Sequence, residues 1–186
     1  MNDGDAVSPR FFIQTFTGKR FYWDAIESNE IAIEDIAHAT AASCRFTGHT
    51  KRFYSVAEHC VHVSHLVPAE DALWGLLHDG PEAYTNDLNR PLKHFTAVGP
   101  TYREVESGVM DAVCTKFGLP QSQPRTVTDA DNSMLYVEKD ALLWPIAWET
   151  KWGTPAKHVT INIRCWSPEV AKTMFLSRFY QLTGRV

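Results

Sequence analysis

The chain has 186 residues, 44% hydrophobic and 22% charged, with a net charge of −4. That composition suits one globular domain spanning residues 1–186 and excludes a disordered tail or a fibrous repeat. No apolar run approaches the roughly 20 residues of a membrane-spanning helix, MNDGDAVSPR lacks the apolar core of a secretion signal, and no long basic block is present to neutralise duplex phosphates. A cytoplasmic protein with neither membrane nor stable nucleic-acid partner is expected. Cys44, Cys60, Cys114 and Cys165 are widely spaced and form no C-x-x-C pair, so they read as reduced, mostly buried thiols.

In chain order, Phe12, Gln14 and Phe16 alternate with Ile13 and Thr15 before Thr17-Gly18, and Phe21-Tyr22-Trp23 follows, which predicts a short hairpin. Ile33, Ile36, Ala37, Ala41 and Cys44 recur at helical spacing and predict a helix from Ile33 to Cys44 that delivers Arg45-Phe46. Arg45, His49, Lys51 and Arg52 make a compact cationic stretch that, taken alone, reads as a solvated loop. Ser55-Val56-Ala57-Glu58 is a capping box in which Ser accepts from the third helical amide and Glu reaches back to the cap. His59 then sits in the first turns of a helix ending near Pro68.

Ala72, Leu73, Leu76 and Leu77 share one side of the next helix, so His78-Asp79 comes at its C-terminal end before the break at Pro81. Thr101-Tyr102-Arg103-Glu104 reads as a capping box opening a helix through Val105, Val109, Val113 and Phe117 to Gly118. A later helix, Val127 to Leu143, carries Asp131. Val159 to Ile163 alternates like a short strand, and Ser167-Pro168-Glu169 gives a cap, an N1 proline and an acidic first turn for a last helix. Trp144, Trp148, Trp152 and Trp166 fall in the C-terminal quarter as core or oligomer-contact residues, one of them a candidate for a base pocket. The expected fold is mainly α, with a small N-terminal hairpin and minor C-terminal β.

His59, His78, Asp79 and a carboxylate from the third helix, Asp129 or Asp131, form a mixed nitrogen and oxygen donor set. Such a set suits Mn, Fe, Co, Ni or Zn better than an all-oxygen Mg site, although Mg stays on the list. A cation so held lowers the pKa of bound water and polarises a phosphoryl oxygen, so hydrolysis is the natural reaction. His62 and His65 stay unassigned, and Glu138 and Asp140 read as core-edge or ion-pair residues.

From the hairpin to Leu143 the chain resembles the HD-domain phosphohydrolases, within them the compact branch of bacterial 5'-deoxynucleotidases and phage-encoded enzymes, including phage dATP triphosphohydrolases. The residues carrying the resemblance are Arg45-Phe46, His59 within YSVAEH, His78-Asp79 within LLHDGPEAYTND, Pro91-x-Lys93, and Asp131 within DADNSMLYVEKD. The resemblance implies an HD-type helical bundle with His59, His78, Asp79 and Asp131 as metal ligands. It also implies Glu82 and Asp87 as catalytic acids or bases, Arg45 on phosphate, Phe46 against the sugar where relatives carry Trp, and Lys93 near phosphate. Gly80-Pro81 departs from the alanine-like residues usual after the His-Asp pair and implies a local backbone change.

The function implied is metal-dependent hydrolysis of deoxyribonucleotides, tilted by the phage relatives toward triphosphate release from dNTPs, dATP being one case. Hydrolysis of dNMPs by a 5'-deoxynucleotidase is the alternative. By analogy the protein is a homo-oligomer, a dimer or larger ring, in the host cytoplasm if phage-encoded. A non-catalytic nucleotide sensor, and a structural metalloprotein in which an ion merely clamps three helices, are competing classes; the latter leaves Arg45, Glu82 and Asp87 without a role.

Overall fold

The structure, a computed structural model, describes residues 11–146 and 157–184. A hairpin pairs β1 (Ile13–Gln14) with β2 (Arg20–Phe21), Ile13 opposite Phe21 and Gln14 opposite Arg20. Its turn uses Gly18 at a φ of 82°, a left-handed conformation that costs glycine little. The Thr17 amide and hydroxyl both donate to the buried Asp35 carboxylate, at 2.6 and 2.9 Å, and tie the hairpin to the first helix.

The α-helices are α1 (Ile33–Ala42), α2 (Val56–Leu66), α3 (Ala72–Leu77), α4 (Glu82–Thr85), α5 (Arg90–Phe95), α6 (Val98–Phe117), α7 (Arg125–Leu142) and α8 (Pro168–Thr183), with short 3-10 turns at Arg45–Gly48 and Ala69–Asp71. The fold is mainly α with one small antiparallel sheet, as the apolar periodicities predict. Ser55 caps α2 by accepting from the Glu58 amide at 3.1 Å, and Ser167 caps α8 ahead of Pro168. Gly118 ends α6 in the left-handed region.

Three local expectations fail, the last being the reach of Glu58 back to its cap. Helix α6 begins at Val98, so Thr101 lies inside it and caps nothing; Pro100 is tolerated because the first turn of a helix has amides without intrahelical acceptors. The C-terminal β does not form. Val159, Ile161 and Ile163 are part-buried and alternate with exposed neighbours, and Ile161 and Ile163 pack on the core, but no strand lies alongside among the described residues. Alternation reports a one-sided contact, and a strand also needs a partner for its amides.

Helix α2 lies at the centre, touching α1, α3, α7 and α8. It is buried from Val56 through Val61 and again at Val63 and Ser64. Gly75 lets α3 lie close against it, since a Cβ there would sit 3.2 Å from Ser64 Cα. Phe175 and Phe179 of α8 join Val56, Leu76, Leu77 and Val113 in one core, each fully buried ring contributing about 1.5–3 kcal/mol.

The Glu58 carboxylate does not reach back to the cap. It is fully buried and accepts from the backbone amides of Arg164, Cys165 and Trp166 at 2.7–3.0 Å. Those three donors fix the segment leading into α8, with Cys165 turned to a φ of 56°. Glu58→Ala leaves these amides without an acceptor, and a loss of about 3 kcal/mol in urea unfolding is expected, with faster amide exchange over residues 164–175. A loss below about 1 kcal/mol would show that the segment is held by packing alone.

Candidate metal centre

His59 comes one turn into α2, His78 follows the last residue of α3, Asp79 begins the turn to α4, and Asp131 projects from α7. Because α3 and α7 both pack on α2, these groups converge. His59 Nε2 lies 3.2 Å from His78 Nε2, 3.2 Å from Asp131 Oδ1 and 3.6 Å from Asp79 Oδ2, and His78 Nε2 is 3.3 Å from the same Asp79 oxygen. Asp129 turns away to pair with Arg125 at 3.1 Å, so of the two candidates it is Asp131 that the fold brings to the centre.

The tautomers follow from the opposite ring nitrogens. His59 Nδ1 faces Glu138 Oε1 at 2.6 Å and His78 Nδ1 faces the Gly75 carbonyl at 2.9 Å. The carbonyl oxygen can only accept, and the Glu138 carboxyl is held ionised, so each Nδ1 keeps its hydrogen. The two Nε2 lone pairs therefore point at one another, an arrangement that repels unless positive charge sits between them. Without a metal that charge is protonic. Burial opposes protonation of His78, but Asp79 and Cys60 outweigh it and raise its pKa well above the usual range; for His59, burial and Arg45 are outweighed by Glu138 and Asp131.

The acids respond in the opposite sense. Burial would raise Asp79, yet His78, His59 and Arg45 hold it below the usual carboxylate range, and the His59 hydrogen bond with both imidazoles lowers Asp131 to about 2 against its own burial. Glu138 is lowered likewise, burial being outweighed by Arg45 and His59. Three ionised carboxylates against one guanidinium leave two negative charges uncompensated, the charge of one divalent ion. The residues present thus fit a divalent first-row cation in donor type, convergence and charge. Cys60, His78 and Asp79 also bring donor atoms within 4.8 Å of one another, and burial pushes the Cys60 thiol up to about 11.

Arg45 follows α1 at the neck of a loop closed by an antiparallel bridge between Cys44 and Ser55, with the Arg45 amide donating to the Tyr54 carbonyl at 2.9 Å. Its guanidinium spans the centre, 3.3 Å from Asp79 Oδ2 and 3.1 Å from Glu138 Oε2. Burial disfavours its charge, but Glu138, Asp79 and Asp131 more than compensate. Of the cationic stretch predicted from the sequence, Arg45 turns inward while Lys51 covers the exposed Trp144 and Arg52 donates to the Arg164 carbonyl.

The centre opens into a cavity of about 630 Å³ lined by Arg45, Phe46, Asp79, Glu82, Asp87, Lys93 and Asp131, with Arg90, His94 and Phe95 on the α5 wall. Glu82 is buried with Oε2 unpartnered among the described residues, and burial, Asp79 and Asp87 raise its pKa well above the usual range. Asp87 is raised too, mainly by burial. Lys93 reaches the cavity but is paired with Glu106 at 2.7 Å. Trp166 stacks on His62 and neither it nor Trp144 lines the cavity, while Trp148 and Trp152 lie outside the described residues.

Sequence reasoning missed Glu138 and Tyr54. Of its two readings, core edge or ion pair, Glu138 takes the second: it is fully buried, pairs with Arg45, faces His59 Nδ1 and accepts from the Tyr54 hydroxyl at 2.9 Å. The signal was present: Val127, Ala130, Met134 and Leu142 form the buried stripe of α7, and Glu138 falls on it. A carboxylate in an apolar stripe must have buried donors.

No protein-family model matches the chain. It is 39% identical over 178 residues to the uncharacterized protein YfdR of Escherichia coli (strain K12), covering 92% of this chain and 96% of that one. It is also 38% identical over 110 residues to an uncharacterized protein of Rhodobacter capsulatus, covering 54% of this chain and 55% of its length.

If this donor set takes up a cation, His78→Ala and Asp131→Asn each lower the Mn²⁺ bound per chain, measured by elemental analysis after equilibrium dialysis, by about tenfold or more in affinity. Asp129→Asn leaves it unchanged. Equal loss in the two Asp variants would mean that Asp131 holds nothing that its neighbour does not.

Proposed function

The chain belongs to the same family as YfdR, and we propose that it is a metal-dependent phosphohydrolase of the HD-domain type, acting on deoxyribonucleotides. The single observation that carries this reading is the facing pair of imidazole Nε2 atoms 3.2 Å apart, each with its other nitrogen committed as a donor, beside the Asp79 and Asp131 carboxylates that line a nucleotide-sized cavity. A divalent ion held by His59, His78, Asp79 and Asp131 would supply Lewis-acid charge and bring the pKa of a water toward neutrality.

The chain's own residues do the rest. Arg45, fixed from behind by Glu138 and Asp79, presents its remaining N–H groups to phosphate oxygens, where a planar guanidinium gives directional, charge-assisted hydrogen bonds. Glu82, which lines the cavity and whose Oε2 is buried without a partner among the described residues, takes the proton from the attacking water, and Asp87 shares the task. Phe46 packs against the sugar beside Arg45, whose Cζ lies 5.7 Å from the ring centroid. Support for a triphosphate substrate comes from the α5 wall, where Arg90, Lys93 and His94 add basic groups beyond the one cation that a monophosphate needs.

The test is product analysis with each dNMP and dNTP in the presence of Mn²⁺, Co²⁺ or Mg²⁺, before and after chelation. Inorganic triphosphate from dNTPs is the expected product; inorganic phosphate from dNMPs would assign a 5'-deoxynucleotidase, and turnover that survives complete metal removal would end the proposal. Phe46→Trp is expected to change the ratio of kcat/KM between deoxyribo- and ribonucleotides by about tenfold, with a smaller change in overall rate, and an unchanged ratio would move Phe46 away from the sugar.

A further inference from the structure

Glu138 gathers three side chains on its two oxygens. Oε1 faces His59 Nδ1 at 2.6 Å and accepts from the Tyr54 hydroxyl at 2.9 Å; Oε2 accepts from Arg45 Nε at 3.2 Å and forms an ion pair with Nη2 at 3.1 Å. All three partners are held by other elements, and the carboxylate itself has no exposure. We propose that Glu138 is the positioning residue that makes His59 a metal ligand, locking its Nδ1–H tautomer from one oxygen while Arg45, which can only donate, commits the other oxygen as an acceptor. The inference rests on the metal-centre half of the function proposed above and not on turnover.

The chemistry of the nearest isostere shows why both oxygens matter. A glutamine at this position has one acceptor and one NH₂. Arg45 has no lone pair and cannot face an NH₂ group, so the amide oxygen must turn to Arg45. The NH₂ then faces His59, and the imidazole answers by moving its own hydrogen from Nδ1 to Nε2, which blocks the nitrogen that points at His78 and Asp131. The damage comes from a rotated amide and a wrong tautomer, with bulk and packing almost unchanged. Removing the constraint at Arg45 should therefore undo it: with a side chain there that does not donate, the amide is free to turn its oxygen back to His59.

The experiment measures Mn²⁺ affinity by competition with a fluorescent chelator for the native protein, Glu138→Gln, Arg45→Met and the double variant. The expected result is that Glu138→Gln weakens binding by about 10–100-fold, the range for losing the hydrogen-bond partner of a metal-bound histidine, and that Arg45→Met strengthens binding by at least about threefold more in the Glu138→Gln background than in the native one. Loss of the guanidinium charge beside Asp79 by itself strengthens cation binding in both backgrounds, so a gain no larger in the variant background than in the native one overturns the proposal. Binding by Glu138→Gln within about threefold of native overturns it as well.

Should Glu138→Gln fail to fold, ¹⁵N imidazole spectra of the Zn²⁺-loaded native protein decide. His59 must show Nε2 ligation with a hydrogen-bonded Nδ1–H, and ligation through Nδ1 overturns the assignment. Both readouts hold whether or not any nucleotide is hydrolysed, so failure of the phosphohydrolase reading and failure of this one are separately visible.

Discussion

A helical turn buried on every side must satisfy each polar group it carries from within the protein, and the first turns of α2, buried from Val56 through Val61, carry Glu58 and His59 in succession. Leaving either unpartnered costs several kcal/mol, a large part of the stability of a domain this size. Each side chain therefore recruits donors or acceptors from distant chain: Glu58 collects the amides of residues 164–166, and His59 collects Glu138, His78 and Asp131. The first set orders the approach to α8, which closes the core, and the second assembles the candidate centre. Fold and site are thus consequences of one demand, made by adjacent residues on the same helix.

Charge balance links the centre to its surroundings. Asp79, Asp131 and Glu138 are all held ionised, and Arg45 neutralises only part of their charge. The remainder can be met by two protons on the imidazoles or by one divalent cation. Glu82 and Asp87 are pushed in the other direction, first by their own burial and then by the nearby negative charge of Asp79. Carboxyl groups split in this way, some kept ionised to hold a cation and others kept ready to carry a proton, are what hydrolysis of a phosphoester requires.

Much of this was legible in the sequence, and the reasons differ by residue. His59 and His78-Asp79 were found because helix caps and breakers give local position: Ser55 starts α2 and Pro81 follows the pair, so their distance along the chain translates into place. Asp131 was separated from Asp129 through resemblance, and the structure separates them through helix phase, since two residues along α7 rotate a side chain by about 200°. Glu138 was read as a core-edge or ion-pair residue, and the ion pair with Arg45 holds; its place at the centre was passed over although its position on a buried stripe called for buried partners. The reach of Glu58 to residues more than a hundred positions away, and the missing partner for Val159 to Ile163, are tertiary facts that no local pattern encodes.

The backbone on the cavity's two sides carries the remaining argument. Phe46 and Thr47 both have a φ of 54° and Asn86 has 70°, conformations that are uncommon for residues with a Cβ and costly for a β-branched threonine, about 1–3 kcal/mol each. Such a cost persists only where neighbours over-determine the chain. At Arg45 the Cys44–Ser55 bridge closes the loop and Glu138 pins the guanidinium, so the next residues must turn sharply to stay over the cavity; at Asn86 the amide bonds back to the Glu82 carbonyl at 2.8 Å and the side chain accepts from the Asp87 amide at 3.1 Å. Both strained turns lie next to proposed working residues, Arg45 on one wall and Asp87 on the other. A relaxed backbone at either place would re-aim the neighbouring side chains, so the strain goes with keeping Arg45, Phe46 and Asp87 on the one cavity that Asp79 and Asp131 also line.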